Sequence, residues 1–249
     1  MKIGAQLYTV RDFTQTVQDF TQTIKKVADI GYKYVQISGV GPIPAQEIGN
    51  ICDAHDLDII ITHTPPGRIL DDIATVIEEH HMMGAKYIGI GSMPGEYERT
   101  MAGVQRFIDD FAPIAEEIAK EGLTFMYHNH AFEFEKVGNK RILEHLMAGL
   151  PEAGFTLDTY WVQYAGAGPA AWIRKLKGRV PVIHLKDMAI VEEKQRMCEV
   201  MEGNLPWPMI FASCIEAGVE YGMVEQDDCY GVDPFESLKI SYDHLKGVV

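Results

Sequence analysis

The chain has 249 residues, 47% hydrophobic and 23% charged, and carries a formal net charge of −14. That is ordinary globular composition, and the acidic balance excludes a nucleic-acid partner, which needs a basic stripe to displace counterions. Cys52, Cys198, Cys214 and Cys229 form no CxxC pair, "MKIGAQLYTV" lacks the apolar core of a signal peptide, and no run nears the ~18 apolar residues of a membrane span. The expectation is a cytoplasmic protein with free thiols and no membrane partner, acting on a small molecule.

The chain opens on a β-rich run, "IGAQLYTV". Then comes "VQDFTQTIKKVADIG", with Val17, Phe20, Ile24, Val27 and Ile30 at helical spacing before a glycine stop. Further β-rich runs follow in "YKYVQISG", "DLDIIITHT", "KYIGIGS", "LTFMYHNH", "GFTLDTYWV", "VPVIHLKD" and "YGMVEQDD". Between them "ILDDIATVIEEHHMMG", "FAPIAEEIAKEG" and "WPMIFASCIEAG" read as helices ending at Gly, which suits the φ > 0 position past a helix. The last helix opens at Asp233-Pro234, a cap followed by a proline at a first helical position. Eight strands alternating with helices, at roughly 31 residues per unit, predict one (β/α)8 TIM-barrel domain over residues 1–249, close to the usual ~250. A doubly wound sheet would show GxGxxG after the first strand, and "GIGSMPG" comes late with the wrong spacing.

Chemistry in such a barrel sits at the C-terminal strand ends. Gln6, Gln36, His63, His128, Asp158, His184 and Glu225 stand there. Residues i and i+2 of a strand share a face, so His128 and His130 should look the same way, with Asn129 opposite. His128, Asp158, His184 and Glu225 each follow the apolar core of their strand, and the long interval before Glu225 is filled by "AIVEEKQRMCEVMEGNLPW". Two imidazoles and two carboxylates suit Mn²⁺, Fe²⁺, Co²⁺ or Zn²⁺, and no cysteine ends a strand to make a soft site. His80-His81, at a helix end where cations suit the dipole, are expected to be structural, the methionine-rich spots to be packing or loop covers, and "EFEK" (Glu133–Lys136) to be solvated charge, with the start of a polar loop over the site as the alternative.

The stretches "QLYTVRD", "YHNHAFEF", "LDTYWVQ", "HLKD", "EGN" before Trp207, and "VEQDD" resemble the sugar phosphate isomerase/epimerase family. These are xylose isomerase-like TIM barrels that include inosose dehydratases and ketose 3-epimerases. The resemblance implies a divalent ion, Mn²⁺ first, with Zn²⁺, Co²⁺, Fe²⁺ or Mg²⁺ as alternatives. The family ligates with Glu, Asp, His and Glu. The last three fall on Asp158, His184 and Glu225, and His128 stands where many relatives read "ENH". The ketose epimerases use their two glutamates as paired bases, so this departure leaves room for one-base isomerisation or β-elimination.

The expected activity is proton abstraction next to a carbonyl of a sugar or keto-sugar through an enediolate. Glu225 is the expected base, His130 a second acid/base, and Lys186 the group that steadies an oxyanion or protonates a leaving hydroxyl. Gln6, His63 and Trp161 are expected to bind the sugar. The alternatives are a lyase or dehydratase on a keto-sugar, keto-glycoside or inosose, and a non-catalytic carbohydrate-binding barrel. No glycine-rich anion loop supports a phosphate. A homo-oligomer stays open.

Overall fold

The apolar runs extend as strands of four to six residues: β1 Lys2–Gln6, β2 Tyr34–Ile37, β3 Asp58–His63, β4 Tyr87–Ile90, β5 Thr124–His128, β6 Gly154–Asp158, β7 Val182–Leu185 and β8 Tyr221–Val224. The structure, a computed structural model, describes residues 1–248. Each strand pairs in parallel with the next, and β8 pairs with β1, so the sheet closes into a barrel. Closure in parallel puts every strand's C-terminal end at one mouth.

Alternation along the strands then sorts side chains by height. Ile61, Met126, Val182 and Met223 belong to a small apolar cluster that plugs the barrel interior. Two residues further along the same strands stand His63, His128, His184 and Glu225. Gln6, Gln36 and Asp158 stand likewise two beyond Gly4, Tyr34 and Thr156. The interior is thus apolar below and polar at the mouth. The plug also explains two glycines: a Cβ on Gly4 or Gly154 would strike the sulfur of Met223 or Met126. The larger core lies outside the strands, where Phe20, Ile24, Phe107, Phe111 and Phe125 pack fully buried. Among the described residues no helix is long and apolar enough to cross a membrane.

Several elements differ from the sequence reading. β1 stops at Gln6, and Leu7–Phe13 coils into a 3₁₀ segment because the Gln6 side chain accepts from Tyr8 N. β6 stops at Asp158 and Thr159–Tyr164 is helical, since Asp158 caps it by accepting from Trp161 N. The periodic run around residue 111 is the second half of a helix, Met101–Lys120, which tolerates Pro113. The run from Ile69 breaks at Asp72, which caps Ile73–Met83. Helices Ala45–Asp53, Ile142–Gly149 and Pro169–Lys175 complete the outer layer. His80 is structural, as expected, but not as a cation. Burial pushes its imidazole down to about 4, so it is no dipole cation. It bridges the Thr62 hydroxyl and the Val76 carbonyl.

The long interval after β7 is an antiparallel hairpin, Asp187–Val191 with Lys194–Cys198, followed by a loop. Asp187 anchors both. Its buried carboxylate accepts from the backbone N–H groups of Met188, Met201, Gly203 and Leu205 and from the Trp207 indole. A Cβ on Gly203 would strike that carboxylate. Asp187→Asn turns an amide NH₂ toward donors, and a buried donor left unmatched costs about 1–3 kcal/mol. The expected result is a lower urea midpoint with an unchanged slope. A midpoint equal to the parent's would show that the loop contributes nothing to global stability.

Candidate metal centre

His128, Asp158, His184 and Glu225 meet at the mouth, with one donor atom from each all within 4.8 Å of one another. Each side chain is held from outside and turns a second atom inward. His128 Nδ1 donates to Gly91 O at 2.7 Å, leaving Nε2 toward Asp158 Oδ2 at 3.4 Å. His184 Nε2 donates to Gln36 Oε1 at 2.8 Å, leaving Nδ1 2.8 Å from Glu225 Oε2. Asp158 spends Oδ1 on Trp161 N at 2.9 Å, and Glu225 spends Oε1 on Gln6 Nε2 at 2.7 Å. The oxygen partners oblige the outer ring nitrogens to donate, so the inner nitrogen of each ring carries the lone pair whenever the imidazole is neutral, the form that metal-binding histidines need.

Two further observations fit a divalent cation. His184 Nδ1 and Glu225 Oε2 are buried and make no conventional hydrogen bond among the described residues, only the ion-pair contacts to each other and to Lys186 and Asp158. The charge count also points there. Lys186, 1% exposed, sets Nζ 2.8 Å from Asp227 Oδ1, 3.1 Å from Glu225 Oε2 and 3.4 Å from Asp158 Oδ2. With His184 neutral, as a metal ligand must be, three carboxylates against one ammonium leave an excess of two negative charges, which a divalent ion would cancel.

The same contacts set the protonation states. Burial disfavours charge on Asp158 and Glu225, but Lys186 together with His128 and His184 outweighs it and holds both below the usual carboxylate range. Burial alone would lower Lys186, yet the surrounding carboxylates, Asp158 first, raise it. Burial opposes charge on His184 too, and Glu225 and Asp158 overcome it and lift the imidazole to about 9. Across the mouth the sign reverses. Burial, then His128, pushes His130 down to about 3 and His63 well below its ordinary value. One wall is therefore charged, and the facing wall carries neutral imidazoles.

The structure brings His63, His128, His130, Lys186 and Glu225 to one cavity of about 510 Å³, together with Asp227. His128 and His130 face the same side, their rings 4.9 Å apart. Asn129 turns away and accepts from Asp158 N. Gln6 is wholly buried behind Glu225, and Trp161 lies further out with its ring 5.2 Å from His130.

Sequence reasoning missed three contributors. Gln36 and Asp227 stand at strand ends, but nothing in the sequence says that one anchors His184 and the other pairs with Lys186. Glu133 is the correction. It is wholly buried rather than solvated, accepting from Tyr127 Oη and His130 N at 2.8 Å each. Tyr127 Oη in turn accepts from Met93 N, so this carboxylate ties the loops after β4 and β5.

Burial pushes the Glu133 carboxyl up to about 8 from its ordinary 4.5. A carboxyl raised on folding contributes stability at low pH and loses it as pH climbs from the unfolded to the folded value. Parent stability should fall across pH 4.5 to 8 by an amount that Glu133→Gln removes. Urea unfolding of both proteins across that window checks it, and identical slopes would contradict it.

Residues 24–226 match the family model described as a xylose isomerase-like TIM barrel. A sugar phosphate isomerase/epimerase from Parabacteroides distasonis superposes with a TM-score of 0.84 at 22% identity, covering 99% of this chain and 98% of that one. D-psicose 3-epimerase from Clostridium cellulolyticum gives 0.72 at 12%, covering 99% and 98%. The Bacillus anthracis protein AsbF, described as a "probable 3-DHS dehydratase", gives 0.75 at 13%, covering 99% of each chain. At these identities the likeness is one of fold. No curated protein matches the sequence significantly.

Proposed function

The chain belongs to the xylose isomerase-like TIM-barrel family, and from its site we propose a divalent-metal-dependent isomerase or epimerase of a sugar or keto-sugar. The observation that carries this reading is the inward turn of one donor atom from each of His128, Asp158, His184 and Glu225. A divalent ion held by these four, Mn²⁺ by preference, supplies Lewis-acid charge beside a substrate carbonyl.

The chain's own residues do the rest. Glu225, kept ionised by Lys186, takes the proton from the carbon next to the carbonyl. In an isomerisation it returns that proton to the former carbonyl carbon. Gln6 orients Glu225 through the bond to Oε1. Lys186 remains an ammonium, so it acts as a donor to a developing oxyanion and not as a base. His130 and His63, uncharged, face the substrate as hydrogen-bond partners, and His130 is the group placed to handle a proton on the opposite face. Trp161 offers an apolar ring to the sugar.

A second reading, β-elimination from a keto-sugar, is favoured by His128 and Lys186. With His128 among the donors, no second glutamate stands ready as a paired base. The Lys186 ammonium can protonate a departing β-hydroxyl, which leaves as water while Glu225 takes the α-proton.

The test is incubation of Mn²⁺-loaded protein with a panel of keto-sugars in D₂O, followed by NMR. Deuterium entering the carbon next to the carbonyl without loss of water marks the isomerase or epimerase, and loss of water marks the lyase. A protein that binds sugar yet exchanges no proton in any of them is the non-catalytic barrel.

A further inference from the structure

The cavity over the four donors does not end at its rim. A second cavity of about 450 Å³ adjoins it, lined by Ser92, Arg99, His130, Phe132, Glu135 and Trp161 among others. The two share Ser92 and His130. His130 is therefore a partition, with the donors behind it and an aromatic corner in front. Its ring lies 5.2 Å from Trp161, and 6.4 Å from Phe132 at only 10° from parallel. Arg99 stacks 4.3 Å over Phe132 and pairs with Glu135 at 2.7 Å. The Trp161 indole N–H has no hydrogen-bond partner among the described residues.

We propose that the substrate has two rings: the reacting ketose in the inner cavity and a second, uncharged sugar ring in this outer one. This rests on the proton-transfer reading of the inner site and names its substrate class. A pyranose has a flat C–H face and a polar edge. The outer cavity offers the complement, the Trp161 ring and the Phe132 ring, one face of which Arg99 covers, with polar groups at the rim from Arg99 and Glu135. A phosphate fits poorly. The charge of Arg99 is already matched by Glu135. A third cavity, on the far side of His63, is lined by Val40, Pro42, Ile43 and Ile48 among others, and no Phe, Tyr or Trp is in its lining among the described residues.

The test is titration calorimetry of Mn²⁺-loaded protein with fructose, with its glucosyl forms turanose, maltulose and isomaltulose, and with a fructose monophosphate. At least one disaccharide should bind about tenfold tighter than fructose, the scale of one buried stacking contact. Phe132→Ala and Arg99→Ala should each erode that advantage and leave fructose affinity within about twofold. If no disaccharide binds tighter than fructose, the outer cavity is not a sugar subsite, and the proton-transfer reading stands. If only the monophosphate gains, Arg99 receives an anion and the proposal is wrong. If the ion binds but no sugar does, the proton-transfer reading falls with it.

Discussion

Glu225→Gln is expected to lower turnover by about 10²–10⁴-fold at saturating Mn²⁺, the usual contribution of a general base. The geometry says why saturation matters. Gln6 Nε2 needs an acceptor at the outer oxygen of residue 225. The Gln6 oxygen is already engaged by Tyr8 N, so Gln6 does not readily turn over. An amide at 225 therefore keeps its oxygen outward and points NH₂ at the centre, and ion affinity should fall as well. Saturation, with ion content verified, separates that loss from loss of the base. The readout is solvent deuterium at the carbon next to the carbonyl. If the loaded variant exchanges at the parent rate, Glu225 only ligates, and the base must be sought at His130, His63 or Asp227.

Lys186→Met should move two properties in opposite directions. The ammonium is buried among Asp158, Glu225 and Asp227. Removing one partner of a buried charge cluster and stranding the others costs about 3–5 kcal/mol. The metal-free variant should therefore unfold at a markedly lower urea concentration. The same substitution removes a positive charge from beside two donor oxygens, so Mn²⁺ should bind more tightly and recover much of the lost stability by mass action. Turnover should drop because the oxyanion donor is gone. A variant that unfolds with the parent and binds Mn²⁺ no better would mean that Lys186 is not part of the charge balance.

The barrel and its four inward donors were legible because each rests on a period-two pattern. An apolar residue in the plug is followed two places on by a polar one at the mouth, as in Met126 to His128 and Val182 to His184. What the pattern does not encode is which polar group faces which. Gln6 stands at a strand end like a sugar ligand, yet its amide is occupied by Glu225. The run "GFTLDTYWV" reads as extended to its end because "TYWV" is β-prone, yet the Asp158 cap to Trp161 turns the chain helical just past the strand. Glu133 sits between two phenylalanines in a run that looks solvated. Only the closing of the loops after β4 and β5 places it against Tyr127. The hairpin after β7 was visible only as excess length, since its strands carry Glu192, Glu193 and Lys194 at the turn and no apolar alternation to mark them.

The most direct measurement is anomalous scattering at the manganese edge from crystals soaked in Mn²⁺, for the parent and for an Asp158→Ala, His184→Ala double variant. The expected result is one strong peak in the parent among His128 Nε2, Asp158 Oδ2, His184 Nδ1 and Glu225 Oε2, and none there in the variant. A parent crystal with no peak among those four atoms, or a variant that keeps it, would contradict the account.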